Sequence, residues 1–245
     1  NKILEQYTSI TLDEMDSVKL MNRTDTKFFF NISYLPQILA HCKNNYKVLN
    51  IDNKALLQNK TLYFDTPDNQ LYLKHHNGFA NRYKIRIRNY VESALYFLEI
   101  KKKYKGRTDK KRTKLQSFEN PLSESALAYI LKITGHQLSL QEALWNNFSR
   151  ITLVNTQHKE RITIDLNLTF SNSHKNICLD KLVIAEIKQE QASMKSAFAH
   201  ALKAAGIREG SISKYCIGSM LLNKKIKYNN FKPQWLALQK INPAA

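Results

Sequence analysis

Glycine and proline are scarce, at 6 and 5 in 245 residues. That leaves little material for a flexible linker, and no internal repeat or low-complexity stretch is present, so one compact domain over 1–245 is expected, its core at about 20–222 and a basic helical tail at 223–245. Cysteine is scarce too. Cys42, Cys178 and Cys216 are odd in number, far apart and fit no CxxC or metal-ligand spacing, which argues against a disulfide framework and for a reducing compartment. No apolar run approaches the roughly 18 residues of a membrane span, and no signal peptide is visible. The start without Met suggests trimming, and a soluble, cytoplasmic protein is expected. Acidic residues are also in short supply. Against 38 Lys and Arg there are 20 Asp and Glu, a formal charge of +18, and so large an imbalance implies an anionic partner: nucleic acid, an acidic membrane surface, or a phosphate-rich small molecule or polymer. With 43% hydrophobic residues the chain still has ample material for a core.

The cations concentrate in 82–114, where thirteen Lys and Arg face three acidic residues. In RYKIRIR, from Arg82 to Arg88, every even position is basic and every odd one apolar, the two-residue period of a strand with one charged face. From Leu95 to Lys103 the even positions Tyr96, Leu98 and Ile100 are apolar, while Glu99, Lys101 and Lys103 point the other way. Adjacent strands would lay Arg86, Arg88, Glu99 and Lys101 on a common surface. A basic strand face is also what a solvated sheet edge looks like, but the two-faced pattern recurs far along the chain.

A short helix is expected over 11–20, with Thr11 as N-cap and Glu14 at the capping-box spacing. Residues 22–31 read as a strand with Arg23, Asp25 and Lys27 on one face and Phe28 and Phe30 on the other. A helix follows from 33 to about 44, with Pro36 in its first turn. Strands are expected at 61–66, 148–154, 161–168 and 182–188. The third alternates without a fault, and the last carries Glu186 and Lys188 on one side of an otherwise apolar run. Helices are expected at 123–133, 139 to about 147, and 193–205 with Gly206 as its stop, then as a run after 210–215 and around 235–238. His75 and His76 are adjacent, so in a strand they would face opposite sides and could not share a metal; solvated histidines are expected.

At least six antiparallel-looking strands with one apolar and one charged face, interleaved with amphipathic helices, give an α+β fold. If the sheet closes into a barrel, the charges line a polar channel. Unpaired Lys and Arg in such a lining would each cost several kcal/mol, so the channel should hold anions, and phosphate chains fit best because arginine grips two oxygens at once. A carboxylate among these cations, such as Glu99, Glu186, Asp25 or Asp165, is either a structural counter-ion or a ligand for the divalent metal that accompanies nucleotide phosphates.

The ordered set RTDTK (Arg23 to Lys27), YFDT (Tyr63 to Thr66), RIR (Arg86 to Arg88), FLEIK (Phe97 to Lys101), the segment 106–112, EIK (Glu186 to Lys188) and SKY (Ser213 to Tyr215) resembles the VTC domain. This is the catalytic domain of the eukaryotic vacuolar transporter chaperone polyphosphate polymerase, among the triphosphate tunnel metalloenzymes. The resemblance runs from about 20 to 222. It implies an antiparallel eight-stranded β-barrel with surrounding helices, and transfer of the ATP γ-phosphate to a growing inorganic polyphosphate chain, with pyrophosphate as a short acceptor. It further implies that Lys27, Arg86, Arg88, Lys101, Lys111, Arg150 and Lys214 carry the catalysis as basic phosphate ligands, with Arg23, Lys103, Lys188 and Ser213 binding substrate beside them. Glu186 falls on the family's metal-binding glutamate, for Mn2+ or Mg2+.

Two positions depart from the eukaryotic pattern: Phe148 stands where a tyrosine is expected, and Ser211 where a lysine is. The paired glutamates (ExExK) of the hydrolytic tunnel enzymes are missing, which argues against a simple triphosphatase. With no sensor domain ahead of the tunnel and no membrane anchor behind it, coupling to translocation would need a separate membrane protein partner. Two other readings stand beside the polymerase. One is a hydrolase of the same fold acting on triphosphate or nucleoside triphosphates. The other is a non-catalytic module for polyphosphate, inositol phosphates or nucleic acid. Nucleic acid is the less favoured ligand, since Tyr83, the first of the tyrosines interleaved with the basic residues, falls on the apolar face.

Overall fold

Period-two alternation takes physical form in eleven strands of a computed structural model, which describes residues 2–16, 24–105, 107–190 and 196–243. In chain order they are β1 (Ser9–Ile10), β2 (Thr24–Asn31), β3 (Lys47–Leu49), β4 (Leu57–Asp65), β5 (Arg82–Tyr90), β6 (Leu95–Tyr104), β7 (Arg107–Leu115), β8 (Gln141–Asn155), β9 (Glu160–Ser171), β10 (Asn176–Leu179) and β11 (Leu182–Gln189). Eight form one antiparallel path, β2-β11-β9-β8-β4-β5-β6-β7, a strongly curled half-barrel whose concave face is the tunnel wall. The shorter β10 pairs with β9, and β3 joins β1 to β8.

Among the described residues seven α-helices pack on the sheet: α1 (Leu12–Asp16), α2 (Leu35–Cys42), α3 (Gln70–His76), α4 (Glu124–Thr134), α5 (Ala197–Ala204), α6 (Lys214–Leu222) and α7 (Lys232–Ile241). Their ends follow the capping chemistry. The Thr11 N–H donates to Glu14 Oε2 at 2.8 Å while the Glu14 N–H donates back to Thr11 Oγ1 at 3.3 Å; the rest of the helix expected up to 20 lies outside the described residues. The Ser123 hydroxyl accepts the Ala126 N–H at 3.2 Å, and Gly135 takes φ +73 just past the last turn of α4. For α5 the cap is Ser196, and the expected start at 193 also lies outside the described residues.

Two apolar clusters sit on the convex side. One packs Ile151, Leu153, Ile162, Ile164, Val183 and Ala185 against α2 and α5, and the other packs Ile85, Ile87, Leu98 and Ile100 against Ala126 and Ile130 of α4. A third lies inside the curl, where α6 is buried along its length from Tyr215 to Leu222. A helix covered on every side has no reason to be amphipathic. Its tight fit needs Gly218, where an added Cβ would stand 2.5 Å from Phe170 and 3.0 Å from Leu144. Leu238 of α7 is buried in the same cluster, so the basic tail is docked. Among the described residues no helix is long and apolar enough to cross a membrane, and the three cysteines are unbridged.

Two sequence expectations are overturned. The stretch 139–147 is not a helix. Its residues from Gln141 on belong to β8, because Leu144, Asn146 and Phe148 are buried in alternation and the backbone is paired on both sides, with β4 and β9; Ala143 and Trp145 on the other face had blurred the two-residue period. His75 and His76 lie on α3, not in a strand. Nor is His76 solvated: it is buried, and its Nε2 accepts the Asn230 N–H at 3.1 Å.

Candidate active site

Because side chains facing one another across paired strands share a side, the registers decide which cations meet. Arg86 faces Tyr63 on β4 and Glu99 on β6, Arg88 faces Thr61 and Phe97, and Lys84 faces Lys101. On the far wall Arg150 faces Asp165, Thr163 faces Glu186, and Glu186 faces Lys27. Curling brings the walls into electrostatic range: Lys101 and Lys27 both act on Glu186.

Three carboxylates anchor the floor, each held by two cations. Glu99 is buried and accepts Arg86 Nε at 2.8 Å and Lys110 Nζ at 3.1 Å. Asp165 accepts Arg150 Nε at 2.6 Å and Nη2 at 2.8 Å, and Lys214 as well. Glu186 accepts Lys188 and lies 3.8 Å from Lys27. Burial alone would raise the pKa of all three, but the cations outweigh it and hold each well below the usual carboxylate range: Arg86 and Arg88 for Glu99, Arg150 and Lys214 for Asp165, Lys188 and Lys27 for Glu186. All three stay ionised.

The cations respond in turn. Burial lowers Lys84 and Lys188 to about 8, opposed by the Cys216 thiol and the Tyr63 hydroxyl at Lys84 and by the Glu186 carboxylate at Lys188. Lys101 is pushed well below the ordinary lysine value, first by the charge of Arg86 and then by burial, and its ammonium group makes no ion pair or hydrogen bond among the described residues. Such a floor is short of negative charge, which a bound polyanion would supply.

Phe148 lies beneath this array. Its buried ring has Lys214 at 4.8 Å, Arg150 at 5.1 Å and Arg88 at 5.4 Å from its centroid, so a phenyl ring here steadies three cations. Ser211 is exposed. The start of α6 is aimed by Asp65, a buried carboxylate that accepts the Leu71 N–H at 2.8 Å and the Tyr72 N–H at 2.9 Å at the head of α3, and also the Tyr215 hydroxyl. With Tyr215 fixed, the N-cap residue Ser213 accepts Lys84 Nζ at 2.8 Å, and Lys214 reaches Asp165.

The sequence-derived set is thus largely brought together: Lys27, Arg86, Arg88, Lys101, Arg150, Lys188, Lys214, Ser213 and Glu186 share the concave face, with Lys103 opposite Arg82 at one end. Arg23 lies outside the described residues. Lys111 is a correction. It faces Ile100, whose side chain packs outward under α4, and it pairs with exposed Asp109 at 3.7 Å, so it points away from the tunnel; Lys110 and Arg112 take the inward places. The clue was the tight β6–β7 turn, which pairs Tyr104 with Arg107 and so puts even residues of β7 beside odd residues of β6. Lys84, Lys110, Arg112, Tyr63 and Asp65 were missed as site residues.

A VTC domain family model matches residues 22–223. No curated protein matches significantly. Among solved structures, HpAC1 from Hippeastrum, described as a candidate adenylyl cyclase with a dominant triphosphatase activity, is 13% identical, covering 85% of this chain and 100% of its own at a TM-score of 0.55. A candidate adenylate cyclase from Bacillus halodurans is 15% identical, covering 79% of this chain and 96% of its own at 0.47. One from Vibrio parahaemolyticus is 12% identical over the same shares, at 0.46. At such identities the likeness concerns the fold. The family match, in contrast, extends from before β2 to the end of α6 and takes in every strand of the curled path: the chain belongs to the VTC domain family.

Proposed function

We propose that the protein is a polyphosphate polymerase that moves the γ-phosphate of ATP onto the end of an inorganic polyphosphate chain. In the step, a terminal oxygen of the chain attacks the γ-phosphorus, the bond from that phosphorus to the β–γ bridging oxygen breaks, and ADP leaves. The observation that carries this reading is the state of the floor carboxylates. A hydrolase that activates water by general base catalysis needs a carboxylate able to take a proton, and Glu99, Asp165 and Glu186 are each clamped by two cations and held well below their usual range. A phosphate terminus is already anionic and needs no base.

The residues then act by position and charge. Arg86 and Lys101 hold equatorial oxygens of the transferred group, Lys27 faces it from β2, Arg88 grips the phosphates nearer the nucleoside, and Arg150, Lys188 and Lys214 line the path of the chain. A divalent ion also fits. Among the described residues no cluster of three His, Cys, Asp or Glu side chains exists to hold one, but Mg2+ and Mn2+ at phosphate sites take one or two carboxylates and draw the rest of their oxygens from phosphate and water. Glu186 suits that role, with a side chain 23% exposed against 0% for Glu99 and 3% for Asp165. When bound, the ion would neutralise charge on the phosphate oxygens. A triphosphatase is the second reading, favoured by the activity described for the Hippeastrum protein of the same fold.

Purified protein incubated with ATP, Mn2+ and a little pyrophosphate, its products resolved by gel and phosphorus NMR, tests the reading. ADP with a lengthening phosphate chain is expected. Free phosphate and no chain would replace the polymerase by the hydrolase, and intact ATP would leave a binding module.

A pH dependence follows from Lys84 and Lys188, each held at about 8. Both attract phosphate when protonated, so affinity for a short polyphosphate should be near its full value below about pH 7 and fall as pH rises through 8 to 9, by up to about tenfold per unit for each lysine that must carry charge. Calorimetric titrations across this range in buffers of different ionisation heat should also show proton uptake near pH 8. A flat profile from pH 7 to 9.5 would remove these lysines from the phosphate path.

A further inference from the structure

The two ends of the concave face differ in chemistry. At the end where β6 turns into β7, Arg82, Lys84, Lys103 and Lys27 all act on His75, whose pKa is lowered to about 2, by burial first and then by these charges. At the end where β5 turns into β6 the lining becomes aromatic. Tyr90, the last residue of β5, meets Phe97 edge to face with centroids 6.2 Å apart, and the Arg112 guanidinium lies 4.5 Å over the Phe97 ring. Tyr90 and Phe97 are both half-buried, so neither ring is sealed into a core. Phe97 stands directly opposite Arg88, and Tyr90 lies within electrostatic reach of Arg88, Glu99 and Arg150. A partly open, edge-to-face aromatic pair with a guanidinium over one ring therefore adjoins Arg88 at this end.

We propose that Tyr90 and Phe97 form the nucleoside subsite, on which the base of the nucleotide donor stacks while its phosphates run from Arg88 toward Lys101. The inference rests on ATP being the donor. Stacking suits a base of any identity, since each has a π-face, and a guanidinium beside the rings adds a cation–π contribution. The subsite separates ATP, which carries a base, from inorganic tripolyphosphate, which offers the same phosphates without one.

That difference supplies the test. The β,γ-imido analogue of ATP and inorganic tripolyphosphate are titrated separately, by calorimetry, into wild-type protein and into Tyr90→Ala, Tyr90→Phe and Phe97→Ala. Loss of one stacking partner should weaken the analogue by about tenfold while tripolyphosphate affinity is unchanged, and Tyr90→Phe should behave as wild type. Unchanged tripolyphosphate binding also reports an intact fold. If the analogue binds wild type and the alanine variants weaken both ligands equally, or neither, the subsite is refuted while ATP remains the donor. If wild type binds tripolyphosphate but not the analogue, the proposed function and the subsite fall together.

Discussion

Arg86→Ala will cut polyphosphate formation from ATP by orders of magnitude and will also weaken the fold. Arg86 is 8% exposed and donates to Glu99 at 2.8 Å and to Tyr63 at 3.2 Å, so it is at once a proposed phosphate ligand and the main counter-charge of a carboxylate that is 0% exposed. Truncating one partner of a buried pair leaves the other charged in a low dielectric, at a cost of about 3–5 kcal/mol. Lys110 remains on Glu99 and keeps the loss to the lower end, which for a chain of this size lowers the melting temperature by roughly 10 °C. Turnover should fall about 10²- to 10³-fold or more, as when a charge-stabilising donor is removed from a transition state. The double variant Arg86→Met, Glu99→Gln separates the two effects: with the orphan charge gone, much of the stability should return while turnover stays lost. Wild-type turnover by Arg86→Ala would remove Arg86 from the catalytic set.

That coupling of fold and site explains what the sequence could and could not show. Alternation is a local signal, so β5, β6, β9 and β11 were legible residue by residue, and so were the charges they carry inward. Pairing is not local. That Glu99 serves Arg86 and Lys110, and Asp165 serves Arg150, depends on the register of neighbouring strands, and that Lys214 also reaches Asp165 depends on how α6 docks against the sheet. Where both faces of a strand are apolar in part, as at Leu144 and Trp145, period alone does not tell strand from helix, and β8 was misread there. Parity failed in β7 for a related reason. In a run as basic as KKRTK every residue looks like a ligand, and only the turn at Lys105 shows that Lys111 points away while Lys110 and Arg112 point in. Asp65 stayed hidden because its partners, the head of α3 and Tyr215 of α6, meet only in the folded chain.

Glu186→Gln should remove the metal dependence of the reaction and leave the tunnel's grip on phosphate intact. The substitution keeps the shape of the side chain and removes one negative charge from a floor that Lys188, Lys27 and Lys101 already make strongly positive. Binding of tripolyphosphate in metal-free buffer should therefore hold or tighten. Polyphosphate formation should fall about 10²-fold and should no longer respond to added Mn2+ or Mg2+. A separate signature lies in Lys188. Burial lowers its pKa and Glu186 opposes that lowering, so loss of the carboxylate must move the lysine's titration from about 8 to a lower pH, and the pH at which phosphate binding weakens should shift down with it. A structural counter-ion would give the same pH shift but would leave activation by metal unchanged. Metal titrations of the variant therefore decide whether Glu186 binds the ion or only balances Lys188.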